Sequence, residues 1–494
     1  MFLKFCLFAF LTALVQADTF ECPTNVITNT TIKGSIPNNS TYLLPLPANT
    51  ICNIVFQIPD GFAVELVYNY INAYESNRVV VIDTVGKKYE GIGNSLNQVI
   101  WFASGTAYLN ITSADGTFMF YGTYRYMSLY SFTSYYHRTH DFTRFTSAPF
   151  DRNSVHTFVT VTNNEQVAVN VGATNYQDEP ILHLIYVYDG DDIRNSKMIG
   201  RLADLLRVSN RIYSTGQAIS FVCFYDVYDL QRSVSYIFGN DASAVRDFLA
   251  YHVVPVDDTL YSFAVGNGNY TGVYTFFSTV YDKTLAIQAL TFVELLQDNT
   301  GYVEIRGQTP TDKMNKVIRY DAATYQETMM PQSIPTSFVT MYIRSALVSV
   351  VLPTKQLWDN DYDNRSVIII SPNQWNNQSD WARYDFRNDS RAFNYSVEFD
   401  KMVFGNASDT VKFVIGDHDS KSNQDRDSVY QVYSSDQPPT TQSLSHVGNY
   451  ITIDFNCPTR QSDIRLTVKM HAYTKASKSK FLVSFLILLI MLVY

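Results

Sequence analysis

Apolar and polar residues alternate in short runs along most of this chain, with Gly, Asp, Asn and Pro clustered between the runs. Residues 54–58, 63–67, 79–83 and 108–112 are short runs rich in β-branched and aromatic residues. Such runs predict strands. Residues 118–126 alternate with period two, placing Phe118, Phe120, Tyr124 and Tyr126 on one side, and Asp115-Gly116 just before them predicts a hairpin turn from 108–112. A second block carries 156–161, 181–188 and 218–224, with Asp189-Gly190 and Ser214-Thr215-Gly216 as turns. Asp241 is placed to cap a short helix through Val245 and Phe248. A third block offers 302–306 and 338–343. A fourth offers 411–415, 450–455 and 464–470, the last alternating without a break. Many short strands with regular turns predict an all-β protein of tandem β-sandwiches.

The two ends follow a different pattern. Lys4, an apolar run over 5–15 and the small-x-small sequence Val15-Gln16-Ala17 have the layout of a secretory signal over 1–17. Residues 481–494 are apolar but would span only ~21 Å as a helix, against a hydrocarbon core of ~30 Å. They follow Ala476-Ser477-Lys478-Ser479-Lys480, the arrangement of a GPI signal over 476–494 with Ala476 or Ser477 as the attachment residue. A short membrane span and a soluble product are the alternatives. The interior divides by pattern into 18–130, 131–250, 251–352 and 353–475.

Composition sharpens this reading. Tyr (36) and Phe (32) are abundant, which favours strands, and a net charge of −9 without a basic block argues against a nucleic-acid partner. Asn-x-Ser/Thr sequons stand at Asn29, Asn38, Asn39, Asn110, Asn269, Asn364, Asn377, Asn388, Asn394 and Asn406. On a secreted chain they predict glycans on solvent-facing positions. Asn38 and Asn39 overlap, so one of the two is expected to be occupied at a time. With Cys6 removed, Cys22, Cys52, Cys223 and Cys457 remain, an even set whose spacing permits several pairings.

Catalytic signatures are sparse. His137-Arg-Thr-His140-Asp141 lacks zincin spacing and a third ligand, and predicts a linker. Asp359-Asn-Asp361-Tyr-Asp363 begins like a calcium loop but has no glycine at the sixth position and has Ile370 where the glutamate would stand. Gly416-Asp-His-Asp-Ser420 predicts a polar turn. No nucleophile elbow or phosphate loop is present. No cofactor and no metal are expected, and the chain is not expected to be an enzyme.

Residues 184–190, with Met198-Ile-Gly-Arg-Leu202 and Ser214-Thr-Gly216, resemble a CUB domain. The first block, through Cys22, Cys52, residues 53–61, 79–84 and the aromatic strand ending at Tyr126, resembles the CUB-like family of nematode secreted and surface proteins. The resemblance implies a jelly-roll-like sandwich, a Cys22–Cys52 disulfide and a role in recognition or in defence against bacteria at the cell surface. Its partner would be an extracellular glycan or protein. For Cys223 and Cys457 two readings stay open: a bridge between blocks, or two buried thiols. The calcium site of ordinary CUB domains has His183 where an aspartate is needed, so Asp189, Asp191 and Asp192 are expected to form a solvated turn. A structural coat or matrix glycoprotein and a cation-dependent hydrolase are the rival functions.

Overall fold

A computed structural model describes residues 20–74, 76–139, 143–146, 153–172, 180–224, 236–254, 260–265, 271–278, 287–307, 316–336, 338–352, 363–375, 380–388, 390–419 and 424–473. The two terminal signals, Cys6, Ala476, Ser477, Asn269, Asn377, His140, Asp141, Asp359 and Asp361 lie outside these residues. The chain forms two units, one of Met1–Val171 with Asn175–Ser243, the other of Gly172–Thr174 with Ala244–Tyr494. Among the described residues no helix is long and apolar enough to cross a membrane.

The first unit opens with strands β1 (Lys33–Ile36), β2 (Leu44–Pro45), β3 (Thr50–Ile58), β4 (Phe62–Ala73), β5 (Arg78–Ile82), β6 (Lys88–Gly91), β7 (Gly93–Phe102), β8 (Gly105–Ser113) and β9 (Met119–Ser128). They form two sheets, β3-β8-β5-β6 and β1-β9-β4-β7, with β2 on β9. Alternation turns Cys52, Ile54, Phe56, Leu109 and Val81 of one sheet toward Val64, Leu66, Phe102, Phe120 and Tyr124 of the other, in one closed core. The Cys22–Cys52 disulfide ties the N-terminal segment to β3. The turn at Asp115-Gly116 is there, with Gly116 at φ 76° and the Asp115 carboxylate accepting from the Thr117 amide at 2.9 Å. It is not a hairpin, however. β8 pairs with β3 and β5 while β9 pairs with β1 and β4, so the turn carries the chain from one sheet to the other.

Next come β10 (Thr133–Arg138), β11 (Thr143–Thr146), β12 (Ser154–Val159), β13 (Val167–Gly172), β14 (Ile185–Asp189), β15 (Lys197–Arg201), helix α1 (Leu202–Val208), β16 (Arg211–Tyr213), β17 (Ala218–Cys223) and β18 (Tyr236–Asp241). Their sheets run β10-β12-β17-β14-β15 and β11-β18-β13-β16, with β10 parallel to β12. Asp241 ends β18 instead of capping a helix. Its carboxylate accepts from the Thr139 and Thr162 hydroxyls, and only one 3-10 turn, Ala242–Val245, follows.

Within this unit the two sandwiches share a seam. Ala63, Trp101 and Ala103 point away from the first core and are buried against Tyr186, Met198, Val222 and Phe224 of the second. Trp101 is 1% exposed and stacks on Phe224 at 4.7 Å, while its amide donates to the Tyr186 hydroxyl at 3.2 Å. A polar clasp adds to this. Arg201 lies over the Tyr89 ring at 4.3 Å and donates to Asp204, and the Tyr89 hydroxyl donates to Asp83 at 3.0 Å.

The second unit begins with a 7-stranded sheet, β19 (Phe248–Val254), β21 (Thr271–Ser278), β25 (Phe338–Val351), β22 (Ile287–Arg306) and β23 (Lys316–Asp321) in order, with β20 (Leu260–Val265) on β25 and β24 (Gln332–Thr336) on β22. A last sandwich follows. Its sheets are β26-β33-β28-β31 and β27-β32-β29-β30, from β26 (Arg365–Ile370), β27 (Trp381–Arg387), β28 (Phe393–Val403), β29 (Thr410–Asp419), β30 (Gln424–Tyr433), β31 (Ser443–Gly448), β32 (Tyr450–Asn456) and β33 (Asp463–Ala472). In β33 Ile464, Leu466, Val468 and Met470 are all buried, as the unbroken alternation requires.

Candidate functional site

In the first sandwich, β1 and β4 flank β9, and their register sets three side chains in a row across the outer face. Lys33 pairs in register with Arg125, and Arg125 with Glu65. The next outward row is Ser35, Thr123 and Val67. These rows floor an open concavity of about 770 Å³, walled on one side by the turn 38–41 that follows β1. Its size falls in the range of ligand sites, ~300–1,000 Å³. A second concavity of about 470 Å³ runs beneath the N-terminal segment and shares Thr31, Asn38 and Tyr124 with the first, so the two form one groove.

Packing beneath β1 requires a missing side chain. A Cβ on Gly34 would lie 2.4 Å from the Tyr124 hydroxyl oxygen, so only glycine lets that phenol rise beneath β1. Tyr126, on the same inward face, donates its hydroxyl to Ile27 O at 2.8 Å and fixes the segment roofing the smaller concavity. Burial pushes the Tyr124 hydroxyl pKa upward. Arg125 and Glu65 pair at 2.7 Å, both partly exposed, which is worth ~0–1 kcal/mol. Lys33 is exposed and has no ion partner among the described residues. The groove therefore offers hydroxyls, amides and one uncompensated cation, a lining suited to hydrogen-bonding polar ligands rather than to breaking bonds.

The residues singled out in the sequence meet other fates. Asp189 accepts from the Thr215 amide at 2.8 Å and hydroxyl at 2.7 Å, pinning the Ser214-Thr215-Gly216 corner. Asp192 is held by Arg194, whose guanidinium keeps its carboxyl below the usual range, and by Asn195 at 2.9 Å. Both carboxylates are taken up by the fold. His183 ends the 3-10 turn Pro180–His183. His137 meets His156, a partner with no sequence signal, with nearly parallel rings and ring nitrogens 3.0 Å apart. Asp363 accepts from the Ala472 amide at 2.7 Å, and Ile370 is core.

Residues 416–419 are not a turn but the end of β29, where His418 Nδ1 lies 2.7 Å from Asp425 and Arg387 grips Asp425 with both terminal nitrogens, at 2.9 and 3.1 Å. β29 continues because Gly416 lets β30 approach: a Cβ there would stand 2.3 Å from Arg426 O. Among the described residues no group of three or more His, Cys, Asp or Glu is placed to hold a metal ion.

Cys223 and Cys457 are each a buried free thiol. Burial raises the Cys457 thiol to about 11. Asn38, Asn39, Asn364 and Asn406 are exposed, and Asn29, Asn110, Asn388 and Asn394 half-buried. At Asn388 and Asn406 the side-chain oxygen accepts from the serine of its own sequon, amide and hydroxyl alike, in tight Asx turns.

Residues 17–130 match the family model described as a CUB-like domain, and the match falls on the sandwich that carries the groove. No curated protein matches the chain. Among solved structures, the CUB1-EGF-CUB2 domain of human MASP-1/3 is 14% identical with a TM-score of 0.17, covering 42% of this chain and 98% of its own. The same domains of rat MASP-1 give 11% and 0.19, covering 44% and 99%. The full extracellular region of zebrafish Gpr126/Adgrg6 gives 11% and 0.19, covering 68% and 53%.

Proposed function

We propose that this chain is a non-catalytic extracellular glycoprotein that recognises a polar ligand, a glycan or a protein, through the groove of its first sandwich. The observation that carries the reading is the groove itself: hydroxyls, amides and the unpaired Lys33 on a rigid sheet, within the segment that is similar to CUB-like domains. Sandwich frameworks that present polar surfaces on fixed strands are suited to binding. The carboxylates and histidine that sequence offered for chemistry, Asp189, Asp192 and His137, are engaged by structural partners, which favours recognition over hydrolysis.

The terminal signals support passage through the secretory pathway and a GPI anchor at Ala476 or Ser477 on the outer face of the plasma membrane. Similarity to CUB-like secreted families of nematodes supports a role in innate defence against bacteria.

Two experiments test the reading. Thr123 lies on the groove floor between Ser35 and Val67 in register, so Thr123→Trp fills the groove. Retention of the secreted protein on immobilised bacterial polysaccharide or on intact bacteria is expected to fall about tenfold or more, ~1.4 kcal/mol. Equal retention by the variant would remove the groove from the function. Phosphatidylinositol-specific phospholipase is expected to release the protein from expressing cells. Retention together with a detectable 481–494 peptide would refute the anchor.

A further inference from the structure

We propose that the groove takes an acidic glycan, a sugar chain bearing carboxylate, sulfate or phosphate, and that Lys33 and Arg125 hold its charged group. The proposal rests on the groove-binding reading and names the ligand class. On the outer face of the sheet Lys33 stands directly across the ladder from Arg125, and Arg125 from Glu65. The row therefore runs cation, cation, anion. Glu65 is paired with Arg125 at 2.7 Å, which leaves the Lys33 ammonium as the surplus charge. Glu21 lines the smaller concavity and not the larger, so it does not neutralise this row.

Like charges directly opposed on neighbouring strands destabilise a sheet, and an anion bound at the row would relieve that repulsion between Lys33 and Arg125. The chain as a whole has a net charge of −9. Screening confines each exposed charge to about 8 Å at physiological salt, so the local row and not the total decides what enters. Around the row the hydroxyls of Ser35, Thr41 and Thr123 and the N–H groups of Arg125 can donate to the anion and to the sugar that carries it. Val67 is the apolar side chain on the floor, and Tyr124 beneath it is only 7% exposed. The site thus lacks the large aromatic anchor on which protein–protein contacts concentrate their energy, which favours a glycan over a protein.

Retention of the secreted full chain is measured on immobilised dextran and on its carboxymethyl, sulfate and phosphate derivatives, which share one backbone and differ in charge. The acidic supports are expected to retain wild type more strongly than dextran does. Lys33→Gln is expected to lower that retention about three- to fivefold, the scale of one exposed ion pair, and Lys33→Arg to keep it. Glu65→Gln, which removes the counter-ion of Arg125, is expected to raise it. Lys88→Gln, at an exposed position on the other sheet, changes the net charge equally and is expected to leave retention as it was. None of these positions belongs to a sequon, so the variants keep every glycosylation site of wild type. Because Lys33→Gln removes a like-charge contact, it should melt no lower than wild type, which separates lost binding from lost folding.

A wild type retained no more strongly by any acidic support than by dextran would overturn the proposal. So would equal retention of wild type and Lys33→Gln, or an equal loss in Lys88→Gln, which would reduce the effect to net charge. A loss in Thr123→Trp on every support, with none in Lys33→Gln, would leave the groove reading standing and refute the acidic ligand alone. Unchanged retention of Thr123→Trp on every support would refute the groove reading, and the acidic ligand in the groove with it.

Discussion

At the scale of single residues, two pairs of neighbours bear on stability. Gly34 and Tyr124 compete for one volume, so Gly34→Ala should destabilise the first sandwich by about 1–3 kcal/mol through overpacking. The loss should shrink in a Tyr124→Leu background, a coupling that a double-mutant cycle by chemical denaturation would detect. The His137–His156 pair gives a pH dependence. Burial lowers both imidazoles, and His156 falls to about 4. A folded-state pKa below the unfolded one means that the unfolded chain binds the proton first. The stabilisation is therefore complete above pH ~6.5 and is lost as pH falls toward 4. His156→Phe should flatten that part of the Tm–pH profile, and an unchanged slope would discard the pair as its source.

At the scale of elements, the disulfide and the seam can be separated. Cys22 and Cys52 close a loop with a sequence separation of 30, which removes about 3–4 kcal/mol of loop entropy from the unfolded chain. Replacing both by Ala should lower the first sandwich by that amount, read as a shift in its own unfolding transition. Trp101 belongs to β7 but serves the seam. Trp101→Ala should cost about 3–5 kcal/mol. Hydrogen exchange should then rise at β7 and at β14 and β17 together; acceleration of β7 alone would mean that the stacking on Phe224 does not couple the two sandwiches.

Legibility at this scale follows the range of the interaction. Strands 54–58, 63–67 and 464–470 were visible because a half-buried strand writes its own alternation. The Asp115-Gly116 turn was visible too, as Gly116 alone takes its positive φ without strain. Which strands the turn joins was not, because sheet membership is decided by partners tens of residues away. Continuous apolarity over 99–103 is the one local trace of the seam: Ile100 and Phe102 face one core while Trp101 and Ala103 face the next.

At the scale of the whole molecule, the chain is a series of β units whose first segment is similar to CUB-like domains and carries a polar groove bordered by sequons. The charged clusters of the last sandwich, Arg387 with Asp425 and His418, close on themselves, whereas Lys33 does not. That contrast is why the groove carries the functional reading.

Sequence by itself determined what depends on neighbours along the chain: the strands, the turn residues and the sequons. It also supplied the resemblance that pointed to Cys22–Cys52. Tertiary structure alone decided what depends on distant partners. It brought His156 to His137, placed Asp189 on Thr215, buried Cys223 and Cys457 as free thiols, and set Lys33, Thr123 and Asn38 around one groove. The reason is physical: alternation tells each side chain which way to face, but only the pairing of strands settles what it faces.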